Sequence, residues 1–152
     1  FPYFSSPTYH VHYAEVEVDP VSGNVHVTRY VVAQDVGRVI NSACVRGQIQ
    51  GAVAQSIGLS LYESMRFAED GNIIEANLQF YRLPLAVDIP RVEYVTMEQE
   101  NSEGPFGAKG SGEAPVLLPA AVIANAVADA IGKRITKIPI TPEDVLQALA
   151  ET

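Results

Sequence analysis

An α+β domain is predicted by three features of this 152-residue sequence. Two runs within residues 9–34 alternate apolar and polar side chains, a long stretch over 43–64 repeats apolar residues at helical spacing, and a glycine-rich loop enters an alanine-rich apolar segment at 115–131. Strands and helices follow in the order ββα, short strands, then one strand before the last helices, so they segregate instead of alternating regularly. No repeat, low-complexity tract or composition shift divides the chain, and one domain is expected over residues 1–152.

Residues 9–19 (YHVHYAEVEVD) set His12, Ala14, Val16 and Val18 against Tyr13, Glu15 and Glu17, the pattern of a half-buried strand. A turn at 20–24, with Gly23 and Asn24 supplying positive φ, joins it to a second strand at 25–34. Asn41 or Ser42 is placed to cap a helix over 43–64, in which Val45, Ile49, Val53 and Ile57 recur on one face. That helix also contains Gly47, Gly51 and Gly58. Because each interior glycine costs roughly 0.5–1 kcal/mol relative to alanine, a close neighbour is expected, either another element or a ligand. Glu69–Asp70–Gly71–Asn72 reads as a turn between short strands at 66–68 and 73–75, and 77–90 as irregular connection. A strand at 91–98 follows, then the loop from residue 101, a helix over 115–131 ended by Gly132, and a short helix over 143–150 with Thr141 as cap and Pro142 at its first position.

A formal charge of −8, with ten basic residues against eighteen acidic ones and no basic run, excludes an electrostatic footprint for nucleic acid. Cys44 is the sole cysteine, so the chain can build neither an internal disulfide nor an iron–sulfur cluster, and a reducing, cytoplasmic setting is expected. We expect no membrane partner, since no stretch of about 18–20 apolar residues stands out. The opening FPYFSSPTYH lacks a signal-peptide pattern and an initiator Met, and reads as a processed or truncated start.

Chemistry concentrates in GPFGAKGSGE at 104–113, four glycines ahead of a predicted helix, where backbone N–H groups can face an electron-rich ligand. The loop is neither a Walker A motif, because Lys109 precedes Gly110, nor a GxGxxG fingerprint. Glu113 ends it against an apolar segment. It reads either as a carboxylate at a helix N-terminus or as a general base in a partly dry pocket. Lys109 reads as neutralising a phosphate or as a solvated side chain. His10 and His12 share a strand face without evident further metal ligands, and Cys44, near a helix start, reads as a small buried side chain.

Two segments together, DVGRVINSACVRGQIQGAVAQSIGLSLYE at 35–63 and GPFGAKGSGEAPVLLPAAVIANAVADA at 104–130, resemble the C-terminal part of the molybdopterin-binding large subunit of the molybdenum hydroxylases, the xanthine dehydrogenase and aldehyde oxidase family. The likeness runs from about residue 9 to the terminal TPEDVLQAL. It implies that Glu113 is the general base beside the molybdenum, taking the proton of the water-derived hydroxide that attacks an electrophilic carbon of the substrate. It implies that Gln48 contacts molybdopterin, possibly as its cytosine dinucleotide, and that Gly110, Ser111 and Gly112 offer backbone close to the cofactor. No residue of this chain is implied as a direct metal ligand. The remainder of the subunit, with iron–sulfur clusters and FAD on other domains or subunits, would be its partners, and a small-molecule aldehyde, purine or other N-heterocycle its substrate. Alone, the chain is expected to bind molybdopterin weakly, to lack turnover and to expose apolar surface. A different class of reading is a non-catalytic assembly or binding module of the same fold.

Overall fold

The computed structural model describes residues 6–99 and 103–151. The opening FPYFS and the first two residues of the loop at 101 lie outside them. Strand β1 (His10–Val18) pairs antiparallel with β2 (Val25–Asp35), and β2 pairs parallel with β3 (Val92–Met97), giving a three-stranded sheet in the order β1-β2-β3. The chain crosses from β2 to β3 through helix α1 (Ser42–Leu61); α2 (Pro119–Ile131) and α3 (Pro142–Ala150) follow. The fold is α+β, as the order of the elements predicted.

The hairpin turn is organised by Asp19, whose carboxylate accepts from the Val21 N–H at 2.9 Å and the Ser22 hydroxyl at 2.6 Å. Only Gly23, at φ 74°, takes the left-handed conformation. Asn24 does not, because Ser22 Oγ holds its N–H and its side chain. A register shift after Glu15 leaves Thr28 as an extra residue of β2, so Val27 and Tyr30 both turn inward.

Helix α1 is capped by Asn41, whose side chain accepts from the Cys44 N–H at 3.0 Å. Its buried residues Val45, Ile49, Val53 and Ile57 join Val27, Tyr30, Val32 and Val92 of the sheet and Ile123 and Val127 of α2 in one core. Helix α2 lies against β1 and α1. The polar end of this sheet face holds His12, whose Nδ1 lies 3.0 Å from the Tyr30 hydroxyl, and His10, whose ring centroid is 5.5 Å from that of His12. Burial, with His10 alongside, pushes the His12 imidazole down to about 4, so it is neutral at ordinary pH.

Three expectations change. At 66–68 and 73–75 there are no strands, only a single bridge between Phe67 and Ile73 closing the 69–72 turn, because so short a pair has no third strand to lean on. The helix expected over 115–131 is broken into a 3-10 turn at Ala114–Val116 and α2 proper, since Pro119 has no N–H to donate to the preceding turn. The 18 residues 114–131 do reach a mean hydropathy of 1.8, contrary to the expectation that no such stretch exists. The break leaves α2 at 13 residues, roughly 20 Å long. That is shorter than a hydrocarbon core of about 30 Å.

Candidate functional site

The site is built where the end of β2 meets the glycine-rich loop. Gly37 and Ala108 form an antiparallel bridge, the Arg38 N–H donates to the Gly107 carbonyl at 2.9 Å, and the Lys109 N–H donates to the Val36 carbonyl at 2.9 Å. Gly37, at φ 57°, must be glycine: a Cβ there would overlap the Gly107 carbonyl oxygen. Phe106, exposed at the loop's tip, is the one described non-glycine residue at positive φ, 56°.

Beneath this ladder lies an ion pair that sequence reasoning missed. Lys109 Nζ donates to Asp35 Oδ2 at 2.6 Å, with side-chain exposures of 7% and 3%. Lys109 is therefore neither a solvated side chain nor an anion ligand here. Burial raises the Asp35 carboxyl, but the hydrogen bonds from Lys109 and the Gly37 N–H outweigh it and hold it below the ordinary aspartate value. Its folded-state value being depressed, the stabilisation is present above an unfolded value of about 3.9 and is lost as pH falls through the lower folded one. Removing one member of such a buried pair costs about 3–5 kcal/mol. The available signal was Asp35 closing a strand before Val-Gly, with Lys109 the sole basic residue between Arg91 and Lys133.

Beyond the ladder, Gly110, Ser111, Gly112 and Glu113 run past α1. A Cβ at Gly112 would lie 3.5 Å from Gln48 Nε2, so the structure brings Gln48 and this loop together. Gln48 and Ser111 line a cavity of about 250 Å³ with Asn41, Cys44 and Lys109. The N–H groups of Gly110, Ser111 and Gly112, and the Gln48 carboxamide, find no partner among the described residues. Glu113 is exposed, and its side chain makes no capping hydrogen bond. It precedes α2 by six residues, so it is not the cap of that helix. The dry pocket that a buried base would need is not made by the described residues. The 3-10 turn after Glu113 is held to α1 by Ser56, whose hydroxyl donates to the Val116 carbonyl at 3.4 Å.

The helix glycines divide. Gly58 is packed, since a Cβ would overlap the Glu63 carboxylate and touch Pro84. At Gly47 and Gly51 a Cβ meets nothing within 4 Å, so no element among the described residues approaches them, and of the two expected neighbours the packed element is excluded. Both lie on the exposed side of α1 that also carries Gln48 and Cys44, so Cys44 is not the buried side chain expected, because it falls on the face opposite Val45 and Ile49. Gly51→Ala is expected to stabilise the chain by about 0.5–1 kcal/mol, read as a higher urea midpoint. A lowered midpoint would mean that the added methyl group meets a neighbour. His10 and His12 are not joined by further ligands: among the described residues no three of His, Cys, Asp and Glu come together as a metal site.

These donors fit a polar heterocyclic cofactor: unpaired backbone N–H groups, a free carboxamide and unobstructed glycines form one wall of an open cleft. Comparison with known proteins agrees. Residues 1–90 match the molybdopterin cofactor-binding domain family. Subunit gamma of the 6-hydroxypseudooxynicotine dehydrogenase complex of Paenarthrobacter nicotinovorans is 40% identical over 140 residues, 90% of this chain and 18% of that protein. Aldehyde oxidoreductase of Megalodesulfovibrio gigas is 38% identical over 143 residues, 93% of this chain and 15% of that one. The solved structure of quinoline 2-oxidoreductase from Pseudomonas putida 86 superposes with a TM-score of 0.88 at 33% identity, covering 92% of this chain and 18% of that chain. The chain thus spans less than a fifth of these relatives, and over that span it belongs to the molybdopterin cofactor-binding domain family of the molybdenum hydroxylases.

Proposed function

We propose that this chain is the C-terminal molybdopterin-binding segment, one domain over 1–152, of a cytoplasmic molybdenum hydroxylase. The enzyme would oxidatively hydroxylate an aldehyde or N-heterocycle with oxygen from water, Glu113 acting as general base. The observation that carries this reading is the cleft wall itself, with Gln48 beside Gly112 and the N–H groups of Gly110, Ser111 and Gly112 unpaired. Gln48 and those N–H groups donate to the polar edge of molybdopterin, or of its cytosine dinucleotide form. When bound, the cofactor would supply a Lewis-acidic, redox-active centre.

Glu113, exposed and next in sequence to this wall, would accept the proton of the water-derived group. The names of the relatives, an aldehyde oxidoreductase and a quinoline 2-oxidoreductase, support the two substrate classes. Exposed Leu78, Phe80, Leu85 and Val87 form apolar surface suited to cover by the remainder of the large subunit. Iron–sulfur and FAD domains or subunits would carry the electrons away. The test is elemental analysis of the complex captured from its native host through a tag on this chain. About one molybdenum per complex, with cluster-bearing partners, is expected; a metal-free single chain from cells that make the cofactor would overturn the reading.

A further inference from the structure

We infer that the buried Asp35–Lys109 pair is a positioning element, which fixes the loop carrying Glu113 against the Gln48 turn of α1. The inference rests on the reading of Glu113 as the base. The segment 110–113 contains two glycines, and none of the N–H groups of Gly110, Ser111 and Gly112 donates a hydrogen bond among the described residues. Its path is therefore set by what holds its two ends. Ahead, the Glu113 carbonyl accepts from the Val116 N–H at 3.1 Å, and the turn that follows is held to α1 by buried Pro115 and by the Ser56 hydroxyl donating to the Val116 carbonyl. Behind lies the ladder of residues 36–38 with 107–109; Lys109 is its last rung and Asp35 directly precedes its first residue, so the ion pair closes that end of it.

An apolar contact at that place would tolerate sliding, because dispersion has no direction. A 2.6 Å hydrogen-bonded ion pair, with Asp35 also accepting the Gly37 N–H at 2.9 Å, specifies one register. The Asp35 N–H in turn donates to the Tyr9 carbonyl at 2.7 Å, and the Lys109 ammonium lies 5.9 Å from the Tyr9 ring, which ties the pair to the start of β1. The position of Glu113 thus depends on a residue 78 places earlier, by 113 minus 35.

The test uses the complete large subunit in its complex. Asp35→Asn combined with Lys109→Met removes both charges and leaves no lone buried ion, and unchanged exchange in the β1–β2 hairpin is the measurement that shows folding is retained. In the cofactor-free form, amide exchange at positions 38 and 109, the ladder donors, is expected to rise about tenfold or more, with the β1–β2 hairpin unchanged. In the loaded enzyme kcat is expected to fall about 10–100-fold with KM held within about twofold. In a Glu113→Gln background the pair variant is expected to lower the residual rate no further, since both act through one group. Unchanged exchange, a uniform rise throughout the chain, or losses that multiply in that background would overturn the inference. If Glu113→Gln alone kept normal turnover, the base reading would fall, while the exchange experiment would still decide whether the pair holds the loop.

Discussion

Glu113→Gln in the assembled enzyme is expected to lower kcat by about 10²–10⁴-fold, the usual contribution of a positioned general base, with molybdenum content retained. The expectation is sharp because of where the residue sits. Its side chain is exposed and makes no capping hydrogen bond, so an isosteric amide should move stability by no more than about 0.5 kcal/mol. A loss of rate then cannot be attributed to unfolding. Glutamine keeps the shape and can still donate and accept hydrogen bonds, but it cannot take up a proton at neutral pH. A loss of that size corresponds to about 3–5 kcal/mol of barrier at 1.36 kcal/mol per tenfold. Paired measurements of kcat and of metal per subunit check it. Near-normal kcat would remove Glu113 from the chemistry, and lost molybdenum would make it a cofactor-holding residue.

What was legible in the sequence follows from the range of the interactions involved. The β1–β2 hairpin rests on local alternation and a turn within five residues, and both act between neighbours. The cap at Asn41 and the capping box joining Thr141 and Asp144 are equally local. The partner of β3 was not legible: alternation reports which side chains share a face, whereas the parallel pairing of Val92 with Tyr30 depends on the crossover through α1. The break before α2 was legible in principle from Pro115 and Pro119, but the continuous apolar run outweighed them. The candidate site divides in the same way. Gln48 and the loop 110–113 emerge from motifs, because a ligand-facing loop has a composition of its own. The Asp35–Lys109 pair joins residues 74 apart, and neither member is unusual in its own neighbourhood.

Gly37→Ala and Gly37→Asn are expected to destabilise the protein to a similar degree, by more than the ordinary ~1 kcal/mol of a point substitution. Two terms contribute at this position. The left-handed backbone, φ 57°, disfavours a side chain by roughly 1–2 kcal/mol, and asparagine tolerates that region better than alanine. The second term is steric. Any Cβ would overlap the Gly107 carbonyl oxygen and lie 2.9 Å from Lys109 Cγ and 3.1 Å from the Lys109 nitrogen, all belonging to the opposing rung of the ladder. The obstructing oxygen is backbone, held by the Arg38 N–H, so it cannot swing aside as a side chain would. The overlap therefore outweighs the backbone preference, and asparagine gains little over alanine. A total of about 3 kcal/mol corresponds to a fall in Tm of about 6–12 °C for a domain of this size. Thermal unfolding of both variants beside the parent checks this. If asparagine recovered most of the loss, conformation and not contact would be what requires glycine here, and the ladder would have room to yield.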